Sequence, residues 1–278
     1  MQDAFAYCAE LARTADRDRY LAALFAPAEQ RRALFALYAF DNEMARVREA
    51  AREPLPGEIR LQWWREVLRG ERNGEAAANP VASAFLQTIS RYGLDTAALL
   101  GVIEARRFDL YDDPMRTIAD LEDYARKTSS VLVALAAKIL SGSEMEEAAG
   151  PAGIAYGVAL LLRAFPRHAA RGQLYLPADL LARHGVQMSD VFAGRSSDGL
   201  NTALAEMRDL ARRHLVMARA RLPELPQEAL PAFLPVALVG PSLRRLDRCG
   251  AFSPAEMLPW RRQWLIWRAA HNPARIAP

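Results

Sequence analysis

Apolar residues recur at steps of three and four along most of this chain, and two-residue alternation is nearly absent. Between residues 31 and 49 the apolar positions fall on one side of a helix with 3.6 residues per turn. These positions are Leu34, Leu37, Tyr38, Met44 and Val47. The same spacing predicts helices over 59–68, 81–91, 96–110, 118–140, 144–162, 202–221 and 254–270. The pattern therefore predicts an all-α protein of about ten helices.

Short segments that contain Gly, Pro or Asn separate the predicted helices. They fall at 54–57, 70–74, 92–95, 141–143, 171–177 and 222–226. Asp120 followed by Asp123 is typical of a helix start, and so is Ser253-Pro254 before an acidic residue. Because no low-complexity linker and no internal repeat divides the chain, we predict a single domain over residues 1–278.

The composition excludes several classes of protein. With 278 residues and 51% hydrophobic content, the chain has enough apolar surface for a packed core, which excludes disorder. The two cysteines, Cys8 and Cys249, are too few and too far apart for a disulfide scaffold. The first residues do not resemble a signal peptide, and the longest uncharged runs, 148–162 and 229–243, are shorter than a membrane-spanning helix. We therefore expect a cytoplasmic protein that is soluble or at most lies on a membrane surface.

The charge and the common catalytic motifs narrow the function further. The net charge is +3, but the basic residues are spread over many helices, so we expect no nucleic-acid partner. The four histidines have no HExxH spacing, and no GxGxxG, P-loop or GxSxG segment is present. Nucleotide-binding and hydrolase functions therefore have no support.

One acidic cluster is a candidate metal site. Glu104 and Asp109 precede Asp112 and Asp113 near the end of a predicted helix. Carboxylates one turn apart are suitable ligands for Mg²⁺, which prefers oxygen. The alternative is a solvated helix end that runs into a turn at Asp113-Pro114, and we favour it for Asp112 and Asp113. Glu104 and Asp109 stay open as weak metal candidates.

Two longer segments, 33–70 and 160–186, carry more information. Their notable residues are Tyr38-Ala39-Phe40, Arg163, Arg171-Gly172 and Leu174-Tyr175-Leu176-Pro177. In these segments the chain resembles the squalene/phytoene synthase family of head-to-head prenyl diphosphate synthases, from about residue 13 to at least 192, with a weaker match beyond. The resemblance implies an isoprenoid-synthase-like helical bundle around a central cavity. It also implies two aspartate-rich motifs that hold Mg²⁺ on a prenyl diphosphate.

The chain departs from that family at both aspartate motifs. Alignment on the Tyr-Ala-Phe segment places Ala45, Arg46 and Glu49 at the first motif, so that one acid is left. Alignment on 171–177 places Ala164 and His168 at the two aspartates of the second motif. Several carboxylates must converge to hold Mg²⁺ ions on a departing diphosphate. We therefore expect no cofactor, with Mg²⁺ required only if the protein is an active enzyme.

A degenerate branch of the same family fits better, and a mitochondrial assembly factor of NADH:ubiquinone oxidoreductase (complex I) belongs to it. The matching residues are Ala39-Phe40, Glu43, Ala45 and Val47; 59–64; Tyr124-Ala125, Thr128, Ser130 and Leu132; and Leu176-Pro177, Asp179-Leu180 and Gly185-Val186. This resemblance implies a prenyl-synthase fold that is kept for binding or assembly, with a respiratory complex subunit as partner. An active prenyl transferase that uses Glu43, Glu49, Glu104 and Asp109 is the alternative.

Arginines at the altered motifs suggest a ligand of another kind. Arg46, Arg48, Arg163 and Arg171 are able to bind a diphosphate directly through paired hydrogen bonds. The alternative is that they pair with Glu43, Glu49 and other acids. The hypothetical ligand-binding residues, for an isoprenoid or lipid-like molecule, are Tyr38, Glu43, Arg46, Glu49, Glu104, Asp109, Arg163, His168, Arg171 and Tyr175.

The tryptophans raise a separate question of surface contacts. Trp63 and Trp64 are neighbours on a helix and diverge by about 100°, so we expect only one of them in the core. Near the end of the chain three tryptophans occur with arginines beside them: Trp260, Trp264 and Trp267, with Arg261, Arg262 and Arg268. This composition is typical of a membrane interface and indicates a protein peripheral to the inner membrane. A helix packed on the core with a basic outer face is the alternative, and we favour it.

Overall fold

A computed structural model describes residues 3–50 and 53–277, with Ala50 described in its backbone alone. Residues 51–52 of the family-like segment 33–70, and the ends of the predicted domain 1–278, lie outside the described residues. Every regular element in the described part of the chain is helical. The predicted all-α class is confirmed.

The helices in the described part of the chain are more numerous than the sequence pattern predicts. The α-helices are α1 (Ala4–Ala15), α2 (Arg17–Ala23), α3 (Ala28–Ala45), α4 (Val47–Ala50), α5 (Pro54–Leu68), α6 (Asn73–Ala78), α7 (Pro80–Tyr92), α8 (Thr96–Arg107), α9 (Ile118–Ala125), α10 (Val131–Ser141), α11 (Glu146–Ala170), α12 (Ala178–Arg183), α13 (Met188–Phe192), α14 (Asp198–Arg221), α15 (Leu230–Phe233), α16 (Val239–Leu246) and α17 (Pro259–His271). A π-helical turn, Arg126–Ser130, joins α9 to α10. The 3₁₀ turns are Phe108–Leu110, Leu222–Glu224, Gln227–Ala229, Leu234–Leu238 and Pro273–Arg275.

The helices form two compact units, and the chain passes repeatedly from one to the other. Unit 1 contains the described residues of 1–111 together with 131–146 and 225–235. Unit 2 contains 112–130, 147–224 and the described residues of 236–278. The single domain over 1–278 stays a prediction.

One helix start agrees with its prediction and two differ. Thr117 caps α9 in a capping box with Asp120, so α9 begins at Ile118, where the predicted helix over 118–140 begins, and Asp120 lies inside the first turn. The predicted start at Pro254 is wrong, because α17 begins at Pro259. The predicted break at 54–57 is wrong as well: α5 begins at Pro54, and the first turn tolerates proline since its N–H groups have no helical partner.

The core of unit 1 is aromatic. The Phe40 ring stacks on Phe85 at 4.5 Å between ring centroids and meets the edge of Trp64 at 5.1 Å. Trp64 is fully buried, whereas its neighbour Trp63 reaches outward and donates from Nε1 to Glu75 at 2.8 Å. The expected divergence of the two tryptophans is therefore confirmed.

Unit 2 depends on a close approach between α11 and the π-helical turn. A Cβ atom on Gly153 would lie 2.2 Å from the Cα atom of Ser130, so only glycine fits there. The Ser130 hydroxyl donates to the carbonyl of Gly150 at 2.6 Å and fixes the contact.

Among the described residues, α11 is the one helix long and apolar enough to cross a membrane by length and composition. The uncharged run 148–162 did not predict this, because α11 continues past Arg163 and Pro166 to Ala170. Since 67% of its most apolar window is already buried in the protein, core packing accounts for its composition.

Candidate functional site

The first aspartate motif position coincides with a break between two helices. Helix α3 ends at Ala45, Arg46 adopts a non-helical turn with φ −98° and ψ 3°, and α4 begins at Val47. The predicted continuous helix over 31–49 is therefore wrong at this point. The break leaves Glu49, the acid that remains at the motif, on a helix of four residues.

Three predicted site residues meet in one cleft of unit 1. Glu43, Arg46 and Glu49 line a cleft of about 340 Å³, together with Leu11, Asn42, Val47 and Arg60. The Arg46 Nε atom lies 3.4 Å from the Glu49 carboxylate, and Arg60 pairs with Glu43. Two arginines and two glutamates thus neutralise one another in this cleft, and Arg46 is the member of the predicted arginine set that lines it.

A second group of charges in unit 1 is buried or half-buried, and of its residues the sequence analysis named Asp109 as a site candidate. Arg19 donates to Asp41 at 2.6 Å and to Asp16 at 3.2 Å. Arg106 lies 3.1 Å from the other oxygen of Asp41 and 3.4 Å from Asp109. We call these five residues, Asp16, Arg19, Asp41, Arg106 and Asp109, the buried charge cluster. It joins the ends of α2, α3 and α8.

Burial changes the proton affinity of the groups in and next to this cluster. It raises the pKa of the Asp16 carboxyl, against the opposing attraction of Arg19. It raises the pKa of Tyr38 well above its ordinary range, and the Arg19 guanidinium lies 5.6 Å from the centre of that ring. Tyr38, predicted as a ligand contact, is therefore a buried neighbour of the cluster.

The weak metal candidates lie in different surroundings. Asp109 is buried and pairs with Arg106, and its carbonyl accepts from Arg48 at 3.2 Å. Glu104 is exposed and pairs with Arg65 at 2.8 Å. Among residues 3–50 and 53–277, no three His, Cys, Asp or Glu side chains are grouped so that they could hold a metal ion.

In unit 2, helix α11 carries the residues at the second motif. It ends in a turn where Gly172 has a left-handed φ of +69° and the Gln173 N–H donates to the His168 carbonyl at 2.9 Å. The His168 ring lies 4.8 Å from the Tyr175 ring, which lies 5.7 Å from Tyr124. His168 therefore packs on an aromatic pair.

The remaining predicted residues of unit 2 are arginines with different exposure. Arg163 is half-buried and Arg171 is exposed, and both have partners.

The Leu-Pro-x-Asp-Leu segment that follows, residues 176–180, has a structural role: Pro177 precedes α12, and the Ala178 N–H donates to the Met115 carbonyl at 2.7 Å. The match of this segment to the family pattern therefore reflects its role in the fold.

Sequence reasoning missed Arg19, Asp41 and Arg106. One signal was present for Asp41, which continues the apolar series of Leu34, Leu37 and Tyr38 at a helical step. A charged residue on an apolar face is buried only with a partner. The partners themselves, 22 and 65 residues away in the chain, left no such signal.

The residues present at the first motif do not fit a Mg²⁺ ion. Mg²⁺ needs near-octahedral oxygen ligands, whereas Ala45 has no ligand atom and the Glu49 carboxylate is bound to Arg46. A guanidinium at this place repels a divalent cation. The fold and this altered site define an all-helical prenyl-synthase-type protein whose acidic motifs are replaced.

The chain belongs to the squalene/phytoene synthase family, whose model matches residues 12–268. The match thus extends well beyond residue 192, where the motif comparison weakened. The isoprenoid-synthase fold is confirmed by a dehydrosqualene synthase crystal structure, which superposes with a TM-score of 0.85 at 17% identity and covers 97% of this chain and 96% of that one.

Relatives of two kinds are similar in sequence. The complex I assembly factor 6 of Rattus norvegicus is 33% identical over 248 residues, 88% of this chain and 74% of that protein. The 15-cis-phytoene synthase of Synechococcus elongatus is 24% identical over 244 residues, 82% of this chain and 79% of that protein. The resemblance to the degenerate branch is therefore confirmed.

Proposed function

We propose that this protein is a non-catalytic member of its family that acts in the assembly of a respiratory NADH dehydrogenase. The observation that carries the proposal is the contact between Arg46 and Glu49. In this contact Glu49, the acid that remains at the first motif, pairs with Arg46 of the same motif. A prenyl synthase of the usual kind needs that acid, and others beside it, for Mg²⁺.

The second motif supports the same proposal. Ala164 offers no ligand atom, and His168 packs against Tyr175. Ionisation of a prenyl diphosphate requires neutralisation of the charge that develops on the leaving group. With the acids of both motifs replaced, the described residues provide no cluster of metal ligands for that task.

Similarity to the rat assembly factor supports an assembly role. The test is functional replacement in cells that lack assembly factor 6, using this chain with a mitochondrial targeting segment. We expect complex I to be restored, as measured by its amount and NADH oxidation activity on native gels. The matched control is the phytoene synthase of Synechococcus elongatus targeted in the same way, which should restore nothing. A folded, imported chain that leaves complex I absent would contradict the proposal.

The enzyme alternative has a direct test of its own. The purified protein is incubated with labelled farnesyl and geranylgeranyl diphosphates and Mg²⁺, and diphosphate release is measured. We expect no release above the protein-free blank. Release that is abolished by Glu49→Gln, but not by Glu29→Gln on the exposed surface, would identify an active prenyl transferase.

We also propose that the fold binds an isoprenoid or lipid-like molecule. Support comes from the fold shared with a dehydrosqualene synthase whose crystal structure holds a ligand. Native mass spectrometry of the purified protein should detect a co-purified molecule that denaturation releases. A native mass equal to that of the bare chain would count against this ligand. No cofactor is expected, and this stays a prediction.

A further inference from the structure

The C-terminal helix α17 presents tryptophans to solvent. It packs on unit 2 through Leu265, Ile266 and Ala269, which are buried. On the opposite side Trp260, Trp264 and Trp267 are 64%, 46% and 52% exposed. We call these three residues the tryptophan face. The interpretation favoured from sequence, a packed helix with a basic outer face, is therefore incomplete: the helix is packed and Arg261 is exposed, but its outer side also carries the three tryptophans.

Helical geometry makes the tryptophan face continuous. Steps of four and three residues place the three rings within an arc of about 60° at 100° per residue. The Arg268 guanidinium lies 4.4 Å from the centre of the Trp264 ring at the border of this arc. Leu258, just before the helix, is also exposed. Soluble proteins rarely expose so many large apolar side chains together unless the patch binds something.

A strongly basic cleft lies beside this face. Four arginines line a cleft of about 310 Å³ in unit 2, together with Pro241 and Cys249: they are Arg244, Arg245, Arg248 and Arg261. Arg261 belongs to α17 itself, about 100° from Trp260 around the helix axis. We call this group the arginine pocket. All four arginines are exposed.

The positive charge of the arginine pocket is not neutralised by its own lining. None of the described residues that line it is acidic. Asp247 lies next to Arg248 in sequence, but its carboxylate pairs with Arg208 at 2.9 Å and with Arg212 at 2.5 Å. The pocket therefore attracts anions, and guanidinium groups bind phosphate oxygens through paired hydrogen bonds.

We propose that the tryptophan face and the arginine pocket together form a docking surface for an anionic phospholipid bilayer. Tryptophan rings favour the headgroup level of a membrane, and clustered arginines favour lipid phosphates. Neither feature alone selects this partner. Together they match the two layers of a bilayer surface, one apolar and one anionic. The docking would hold the protein on a membrane without a spanning segment, consistent with the location expected from sequence.

The experiment is flotation of the full-length protein with phosphatidylcholine vesicles, with and without one quarter phosphatidylglycerol. We expect binding to the anionic vesicles and little to the neutral ones. Replacement of Arg245 and Arg248 by Gln should weaken binding about fivefold per arginine, or about 25-fold for the pair. The matched control replaces Arg213 and Arg219, which are exposed on α14 of the same unit, and should weaken it much less.

A second variant tests the tryptophans. Trp264→Ser with Trp267→Ser should abolish most quenching of protein fluorescence by brominated lipid. The variant should still unfold cooperatively, with a modestly lower thermal midpoint, because each side chain is about half exposed and packs on Arg268 or His271. Failure of the wild type to bind anionic vesicles would overturn the proposal. So would equal weakening by both arginine pairs, since that would reflect net charge alone. Capture of a respiratory complex subunit by the same tryptophans, without vesicle binding, would assign the surface to a protein.

Discussion

Arg19 donates to Asp41 at 2.6 Å, and both side chains are less than a tenth exposed. The two residues belong to α2 and α3, and Arg106 reaches the other oxygen of the same carboxylate from α8. A buried carboxylate between two guanidinium groups thus connects three helices of unit 1. It lies on the face of α3 that otherwise carries leucine and tyrosine, so it has the position of a core residue.

Replacement of Asp41 by Asn should destabilise the protein by about 3–5 kcal/mol, because it leaves the buried Arg19 and the half-buried Arg106 without their shared anion. Denaturant unfolding followed by circular dichroism measures the change. The control is Asp209→Asn, which breaks an exposed pair with Arg212 and should cost about 1 kcal/mol or less. A similar, small effect of both changes would show that the cluster is not a folding determinant.

Replacement of Gly153 by Ala should also destabilise the protein, by about 1–3 kcal/mol, because the new methyl group meets the backbone of Ser130. Gly101→Ala in α8 is the control. A Cβ atom at Gly101 meets nothing within 4 Å, and alanine is the better helix former, so this change should stabilise slightly. The thermal unfolding midpoints of the two variants should move in opposite directions. A midpoint of Gly153→Ala at or above the wild type would contradict the close approach.

Glu58 provides a pH-dependent test in unit 1. Burial favours the protonated form, but hydrogen bonds from Arg107 at 2.6 Å and from Tyr111 at 2.7 Å outweigh it and lower the pKa of Glu58 below its ordinary value. A lowered pKa gives stability that is present above the ordinary value of 4.5 and is lost as the pH falls through the folded-state pKa.

Glu58→Gln should therefore reduce the free energy of unfolding at pH 7 by at most about 1 kcal/mol. The difference from the wild type should disappear at acidic pH. Unfolding curves of both proteins between pH 3 and 7 measure it. A difference that grows as the pH falls would have the wrong sign for this carboxylate.

The two cysteines should differ in reactivity. Burial, with a smaller contribution from Glu43, raises the pKa of the Cys8 thiol to about 12, so it stays protonated at pH 8. Cys249 is partly exposed in the arginine pocket. Titration with a thiol reagent at pH 8 should modify one cysteine in the folded protein and two after denaturation. Cys249→Ser should remove the reaction in the folded protein, and a fast reaction that survives this change would show that Cys8 is accessible.

The raised thiol pKa has a consequence for alkaline stability. The stability that Cys8 contributes is present below the ordinary thiol value of 9.0 and is lost as the pH rises towards the folded-state value. Cys8→Ala should therefore lose stability more slowly than the wild type above pH 9, as measured by denaturant midpoints. Parallel curves for the two proteins would contradict a buried, protonated thiol.

The local pattern of the chain predicted much of the fold. The helical period identified the class, and Tyr38-Ala39-Phe40 with residues 171–177 identified the family. The pattern was wrong at other helix ends. Helix α17 begins at Pro259 instead of Pro254, and α3 ends at Ala45 although the apolar spacing continues to Val47. Periodicity records which side of a helix is apolar, but it does not record where a backbone N–H finds another partner.

The sequence by itself determined that the chain is helical, that it is related to prenyl synthases, and that Ala45, Arg46, Ala164 and His168 replace the family's acids. Each of these follows from residue types at fixed spacing. The tertiary structure alone decided which charges are buried. Arg19 finds Asp41 across 22 positions and Arg106 finds it across 65, a choice that depends on how helices pack. Packing also decided that the tryptophans of α17 face outward, because the period of a helix places residues on a face but does not say which face meets the core.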